Sequence, residues 1–153
     1  MSILVVGSLN VDQIAYCERL PGPGETLIGS NYETGLGGKG ANQAVQAALL
    51  SNDKPGSVVM IGAVGDDANG KWYLTELPKS GVDCSNILTK ENISTGVAPI
   101  TVSTTSGENN IVVIPGANLK LTPDDLTSRR ELFQNAKVLI CQNEISHETT
   151  KQV

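Results

Sequence analysis

Apolar positions fall into three short runs: Ile3-Leu4-Val5-Val6, Val58-Val59-Met60-Ile61 and Val138-Leu139-Ile140-Cys141. Each stops at a glycine or a polar residue, the pattern of a buried strand. After the first run the period changes. Ala41, Ala44, Val45, Ala48 and Leu49 share one helical stripe, rich in alanine, which lets a helix lie close on a sheet. Asp66 or Asp67 is placed to cap a second helix carrying Trp72, Leu74 and Leu77, with Gly81 at its C-terminal end. Thr122-Pro123-Asp124-Asp125 combines a capping hydroxyl, a first-turn proline and acids at the positive end of a helix. That helix is predicted to run to about Asn135.

The remaining β-rich stretches interrupt this alternation. Thr26-Leu27-Ile28 and Asn31-Tyr32-Glu33-Thr34 read as short strands around Gly29-Ser30. Val97 to Ser103 and Asn110 to Ile114 read as a hairpin with a longer loop. Pro99 removes a ladder donor and predicts an edge position for the first of that pair. Gly7 to Asp12 reads as a polar exit from the first strand, and Pro21-Gly22-Pro23-Gly24 as a loop. The order predicts an α/β fold, a sheet flanked by helices, in which segments 26–36 and 97–114 pair into a small sheet outside the main one.

Composition narrows the class. The 153 residues suit one domain, and 39% hydrophobic with 18% charged residues excludes a disordered chain and a coiled coil. Sixteen acids against eleven bases, with no basic cluster, argue against a nucleic-acid partner. No apolar run approaches the roughly 20 residues of a membrane span. Cys17, Cys84 and Cys141 are odd in number and far apart, which disfavours a disulfide framework or a zinc knuckle. Met1-Ser2 leads straight into the first strand, so a cytoplasmic protein is expected, with the nucleus left open. Without secretion, the sequon Asn92-Ile93-Ser94 reads as chance.

Two glycine motifs mislead. Gly65-x-x-x-x-Gly70-Lys71 has a phosphate-loop spacing, but Trp72 stands where a magnesium-binding hydroxyl belongs, so a turn into a helix is the better reading. Gly35-x-Gly37-x-x-Gly40 fits a dinucleotide fingerprint, but Val58 to Ile61 offers no acid for a ribose.

Six residues follow elements that should share one sheet edge, where ligands of parallel α/β sheets bind. Asn10 and Asp12 follow the first strand, Gly38, Lys39 and Asn42 open the first helix, and Glu144 follows the last strand. Singly each has an ordinary reading: an Asx turn, turn glycines, a solvated lysine, a first-turn amide, a surface acid. Jointly they offer two carboxylates, two amides, an ammonium and backbone N–H groups. That set suits a small polyhydroxylated ligand, since each hydroxyl both donates and accepts. No nucleophile–base pair is present, because the only histidine is His147, and the residues fit a metal cage poorly.

Gly37-Gly38-Lys39-Gly40-Ala41-Asn42-Gln43-Ala44 resembles the N-terminal signature of the ribokinase (PfkB) family of carbohydrate kinases. Gly7 to Asp12, Pro21-x-Pro23-Gly24-Glu25-Thr26, Val64-Gly65-Asp66-Asp67-x-x-Gly70, Ser94 to Ala98 and Pro115-Gly116-Ala117-Asn118 resemble it in the same order. The resemblance implies a β lid that covers the sugar and forms a homodimer contact. It implies ATP-dependent phosphorylation of the 5-hydroxyl of D-ribose, with Mg2+ and a monovalent cation such as K+. It assigns ribose contacts to Asn10, Asp12, Gly38, Lys39, Asn42 and Glu144. The family's Gly-Ala-Gly-Asp motif, which carries the catalytic base and nucleotide site, is absent. The expectation is therefore a sugar-binding N-terminal half, inactive alone. A non-catalytic sugar-binding or dimerising fragment, or a kinase of another sugar or nucleoside, stands as the alternative.

Overall fold

Strands β1 (Ile3–Val6), β4 (Val58–Gly65), β5 (Asp83–Lys90) and β8 (Val138–Cys141) form one all-parallel sheet, in the order β5-β4-β1-β8. The computed structural model describes residues 3–51 and 56–153; Met1, Ser2 and residues 52–55 lie outside it. Alternate side chains of β1 and β4 enter opposite cores. Val5, Val58, Met60 and Val64 pack against Ala41 and Ala44 of α1 (Lys39–Leu50), and against Tyr73 and Leu77. Leu4, Val6, Ile61 and Ala63 pack against Ala117, Leu121, Leu126 and Ile145. Burial on both faces explains why these strands read as unbroken apolar runs. Asp67 caps α2 (Ala68–Glu76), which tightens into a 3-10 turn and ends at left-handed Gly81.

The second sheet has the order β3-β2-β6-β7, from β2 (Asn10–Cys17), β3 (Asn31–Gly37), β6 (Gly96–Ser103) and β7 (Asn109–Ile111). Segments 26–36 and 97–114 meet in it only through β2, which pairs antiparallel with β3 and parallel with β6. The sequence reading missed β2 because its inner face opens with Asn10 and Asp12, two turn-forming residue types. The alternation lies on the other face, where Val11 is fully buried.

Five further expectations are corrected. Thr26–Ile28 is not a strand; pairing begins only where Ser30 N–H donates to the Tyr16 carbonyl, and Ile28 is 96% exposed. β6 is not an edge, because β7 lies outside it. Pro99 is tolerated because its missing donor points at the β7 side, where Val112 N–H still donates to the Pro99 carbonyl. The helix expected from Thr122 to Asn135 is two, α3 (Pro123–Thr127) and α4 (Arg130–Asn135). Ser128 Oγ and Arg129 Nη1 both donate to the Asp125 carbonyl and divert the chain there. Among the described residues β8 pairs only with β1, so Val138 and Leu139 are 42% and 41% exposed, not buried. On α1, Leu49 falls outside the packed stripe, 66% exposed. α5 (His147–Gln152), capped by Ser146, follows β8 and carries the only histidine.

Candidate functional site

The cleft forms where the two sheets meet. β1 and β2 are separated by only Gly7-Ser8-Leu9, so the chain passes from one sheet into the other across the N-terminus of α1. Gly38 makes the turn from β3 into α1 at φ 90°, and a side chain there would strike the Ser8 carbonyl and Asn10 N at 2.7 Å. The Ser8 carbonyl accepts from Ala41 N–H and Ser8 Oγ accepts from Gly40 N–H, which fastens the helix start to the β1–β2 passage. Buried Tyr73 donates its hydroxyl to the Gly37 carbonyl at 2.6 Å and fixes the end of β3 from behind.

Glu144 arrives from the exit of β8. Gln142 holds that exit, donating to the Val6 carbonyl and accepting from Glu144 N–H at 2.7 Å. The Glu144 carboxylate then accepts from Ser8 Oγ at 2.8 Å, from Lys39 N–H at 3.3 Å, and from the Lys39 ammonium. Burial would raise its pKa, but these donors outweigh it and hold the carboxyl below its ordinary value. Asp12 moves the other way: burial raises its pKa first, and the Glu144 charge adds to the rise.

Asn10, Asp12, Gly38, Lys39, Asn42 and Glu144 all line one cleft of about 180 Å³. Apolar residues complete the lining: Ala98, the register partner of Asp12, and Ile100 from β6, Ile111 from β7, and Val113 beyond it. The sequence reading missed this apolar lining, along with Ser8 and Asn118. The lining was legible in the alternation of β6, where Ala98 and Ile100 lie two apart on one face. Ser8 and Asn118 are fully buried polar residues that no spacing rule marks.

Glu144 can accept about four hydrogen bonds and receives three, leaving capacity for one hydroxyl. Asp12 only accepts, the Lys39 ammonium only donates, and the amides of Asn10 and Asn42 do both. An apolar patch beside such a set matches a sugar, whose hydroxyl edges need partners and whose C–H face does not.

The phosphate-loop spacing at Gly65–Lys71 does not form a triphosphate site. In the Gly65–Lys71 turn, Asp67 Oδ1 accepts from Gly70 N–H at 2.9 Å and from Thr95 Oγ1 at 2.6 Å, so a carboxylate occupies the place an anion would take. Among the described residues no group of three or more His, Cys, Asp or Glu gathers to hold a metal ion. Also among them, no helix is long and apolar enough to cross a membrane.

The chain is similar to known proteins along nearly its whole length. Ribokinase of Schizosaccharomyces pombe is 42% identical over 153 residues, 99% of this chain and 48% of that protein. Deoxyribokinase of Salmonella typhi is 38% identical over 149 residues, 97% of this chain and 47% of that protein. The structure of Arabidopsis thaliana ribokinase complexed with ribose and ATP superposes with a TM-score of 0.79 at 34% identity, over 99% of this chain and 49% of that one. The chain spans about half the length of the curated relatives it matches. Residues 1–153 match the family described as pfkB family carbohydrate kinase, and the chain belongs to that family.

Proposed function

We propose that this chain binds a ribofuranose in the cleft between its two sheets, as the sugar-binding part of a ribokinase. The parent reaction transfers the γ-phosphoryl group of ATP to the 5-hydroxyl of D-ribose. The observation that carries the reading is the convergence of Asn10, Asp12, Gly38, Lys39, Asn42 and Glu144 on one small cleft that apolar residues of β6 and β7 also line. In this reading the Asp12 carboxylate accepts from sugar hydroxyls, and the Asn10 and Asn42 amides fix their neighbours. Lys39, held by Glu144, donates at the helix start. Residues 1–153 then form part of a single ribokinase-like domain. Its lid comprises segments 26–36 and 97–114 with β2 between them.

The same lid is proposed to pair with a second copy. Ile111 and Val113 are 52% and 48% exposed on the sheet face that also forms the cleft wall, more apolar surface than a small four-stranded sheet keeps without a cover. ATP serves as phosphoryl donor, with Mg2+ and K+ as its companions. This chain's own groups act on the sugar, so no ribose-dependent ATP turnover is expected from the chain alone.

Calorimetric titration of the chain with D-ribose and with 2-deoxy-D-ribose tests the reading. Saturable binding of ribose is expected, with 2-deoxyribose weaker. Equal or preferential binding of the deoxy sugar favours deoxyribokinase chemistry, and no binding of either sugar overturns the reading.

A further inference from the structure

The structure assigns a positioning role to Asn118: it determines which end of the Asn10 amide faces the sugar, an inference that rests on the sugar-binding reading above. Asn118 is 1% exposed and lies in the 3-10 turn Gly116–Lys120, whose Ala117 N–H donates to the Ser94 carbonyl. Its own orientation is dictated by the backbone. Leu9 N–H donates to Asn118 Oδ1 at 2.8 Å, and a backbone N–H can only donate, so the amide oxygen must lie there. The Nδ2 end then faces three acceptors: the Leu9 carbonyl at 3.0 Å, the Pro115 carbonyl at 2.9 Å and Asn10 Oδ1 at 2.8 Å.

The polarity passes on by one residue. Asn118 Nδ2 can only donate, so the Asn10 oxygen is committed to it. The Asn10 Nδ2 group is left for the cleft that Asn10 lines. Gly96 makes room for this bridge: a Cβ there would lie 2.1 Å from Asn10 Oδ1 and 2.4 Å from Asn118 Nδ2. Asp12 stands two residues along the same face of β2 and only accepts. The start of β2 therefore presents a donor from Asn10 and an acceptor from Asp12. A sugar with neighbouring hydroxyls satisfies both, one oxygen accepting at Asn10 and one hydroxyl proton donated at Asp12. Fluorine accepts weakly and cannot donate, so replacing the hydroxyl at Asn10 by fluorine is tolerated and replacing the one at Asp12 is not.

Hydrogen exchange of the Asn side-chain amides in the 15N-labelled chain tests the orientation without a ligand. Slow exchange at Asn118 Nδ2 and faster exchange at Asn10 Nδ2 are expected. A protected Asn10 amide with a freely exchanging Asn118 amide overturns the inference. In Asn118→Asp the carboxylate still accepts from Leu9 N–H, but Asn10 must turn its amide to donate to it. The Asn10 amide protons then become protected. Ribose affinity falls by about tenfold or more, and the fluoro-ribose tolerated by the wild type loses more than ribose does. A folded Asn118→Asp chain with wild-type ribose affinity, fluoro-sugar preference and amide exchange overturns the inference. Should that variant fail to fold, Asn118→Ala and the wild-type exchange pattern decide. Alanine frees Asn10, so ribose affinity falls while the Asn10 amide stays unprotected; undiminished affinity counts against a positioning role. If the wild type shows the expected amide pattern but binds no sugar, the orientation stands and the sugar reading fails.

Discussion

The two sheets treat the same apolar residue types in opposite ways. In the main sheet, Val5, Val6, Met60, Ile61 and Ala63 are fully buried, because helices and 3-10 turns cover both faces. In the second sheet, Tyr32, Ile111, Val112 and Val113 are between 48% and 64% exposed. The first is a scaffold whose strand exits and helix starts hold charged groups in fixed relation. The second buries Val11, Cys17 and Ala98 along its central strands but leaves its β7 side open. The cleft between them takes Lys39 and Glu144 from the scaffold, and Asn10 and Asp12 together with its apolar residues from the second sheet.

The largest test of the contrast is stability. Met60→Ala removes a fully buried side chain and should lower the unfolding free energy by about 2–5 kcal/mol in denaturant titration. Ile111→Ala, at a half-exposed position, should change it by about 0.5 kcal/mol or less. Equal losses would mean that the second sheet shares the scaffold's core, and the contrast would fail.

That division also governs how much could be read from the sequence. β1 and β4 were legible because burial on both faces leaves nothing but apolar residues in a row, and α1 because its alanines keep helical spacing. β2 was hidden because the residues that line the cleft, Asn10 and Asp12, interrupt its inner face with side chains that also favour turns. Thr26–Ile28 misled because β propensity alone makes no strand without a neighbour to pair with. The six candidate binding residues were legible by their places beyond strand ends and at a helix start. Asn118 lies 108 residues from the Asn10 it orients, and only the folded chain brings them together.

Asp12→Asn should cost about 1.5–3 kcal/mol of ribose binding, the usual weight of a charged hydrogen bond, measured by calorimetry. The same change should leave the fold intact or slightly more stable, because it removes a carboxylate that burial disfavours. A variant that binds ribose as the wild type does would remove Asp12 from the sugar site. One that unfolds would make Asp12 part of the scaffold rather than of the cleft.

The pH dependence should be smaller and opposite in sign with and without sugar. The folded-state pKa of Asp12 is raised, first by burial and then by Glu144. Its contribution to stability in the free chain is therefore present at low pH and lost as pH rises through that raised value. Glu144, whose pKa is lowered, contributes stability above its unfolded value that is lost as pH falls through its folded one. Ribose binding requires the ionised Asp12 carboxylate, so affinity should weaken as pH falls through the raised Asp12 value. Affinity that stays flat through the carboxylate range would mean that Asp12 does not accept from the sugar.

The smallest effect on the isolated fold is expected at the open face of the second sheet. Ile111→Asp places a charge where the side chain is already 52% exposed, so unfolding free energy should shift by about 0.5 kcal/mol or less. Its effect on assembly should be large, because a charge at the centre of a buried apolar contact loses its hydration with no partner to replace it. Light scattering over a range of concentrations should show a dimer for the wild type and a monomer for the variant. Ile100 is the less informative position: it is more buried than Ile111 on the same cleft wall, so a charge there perturbs the sugar site as well. An Ile111→Asp chain that keeps the wild-type mass at every concentration would show that the open face is not covered by a second copy. The exposure of Ile111 and Val113 would then answer to the sugar alone.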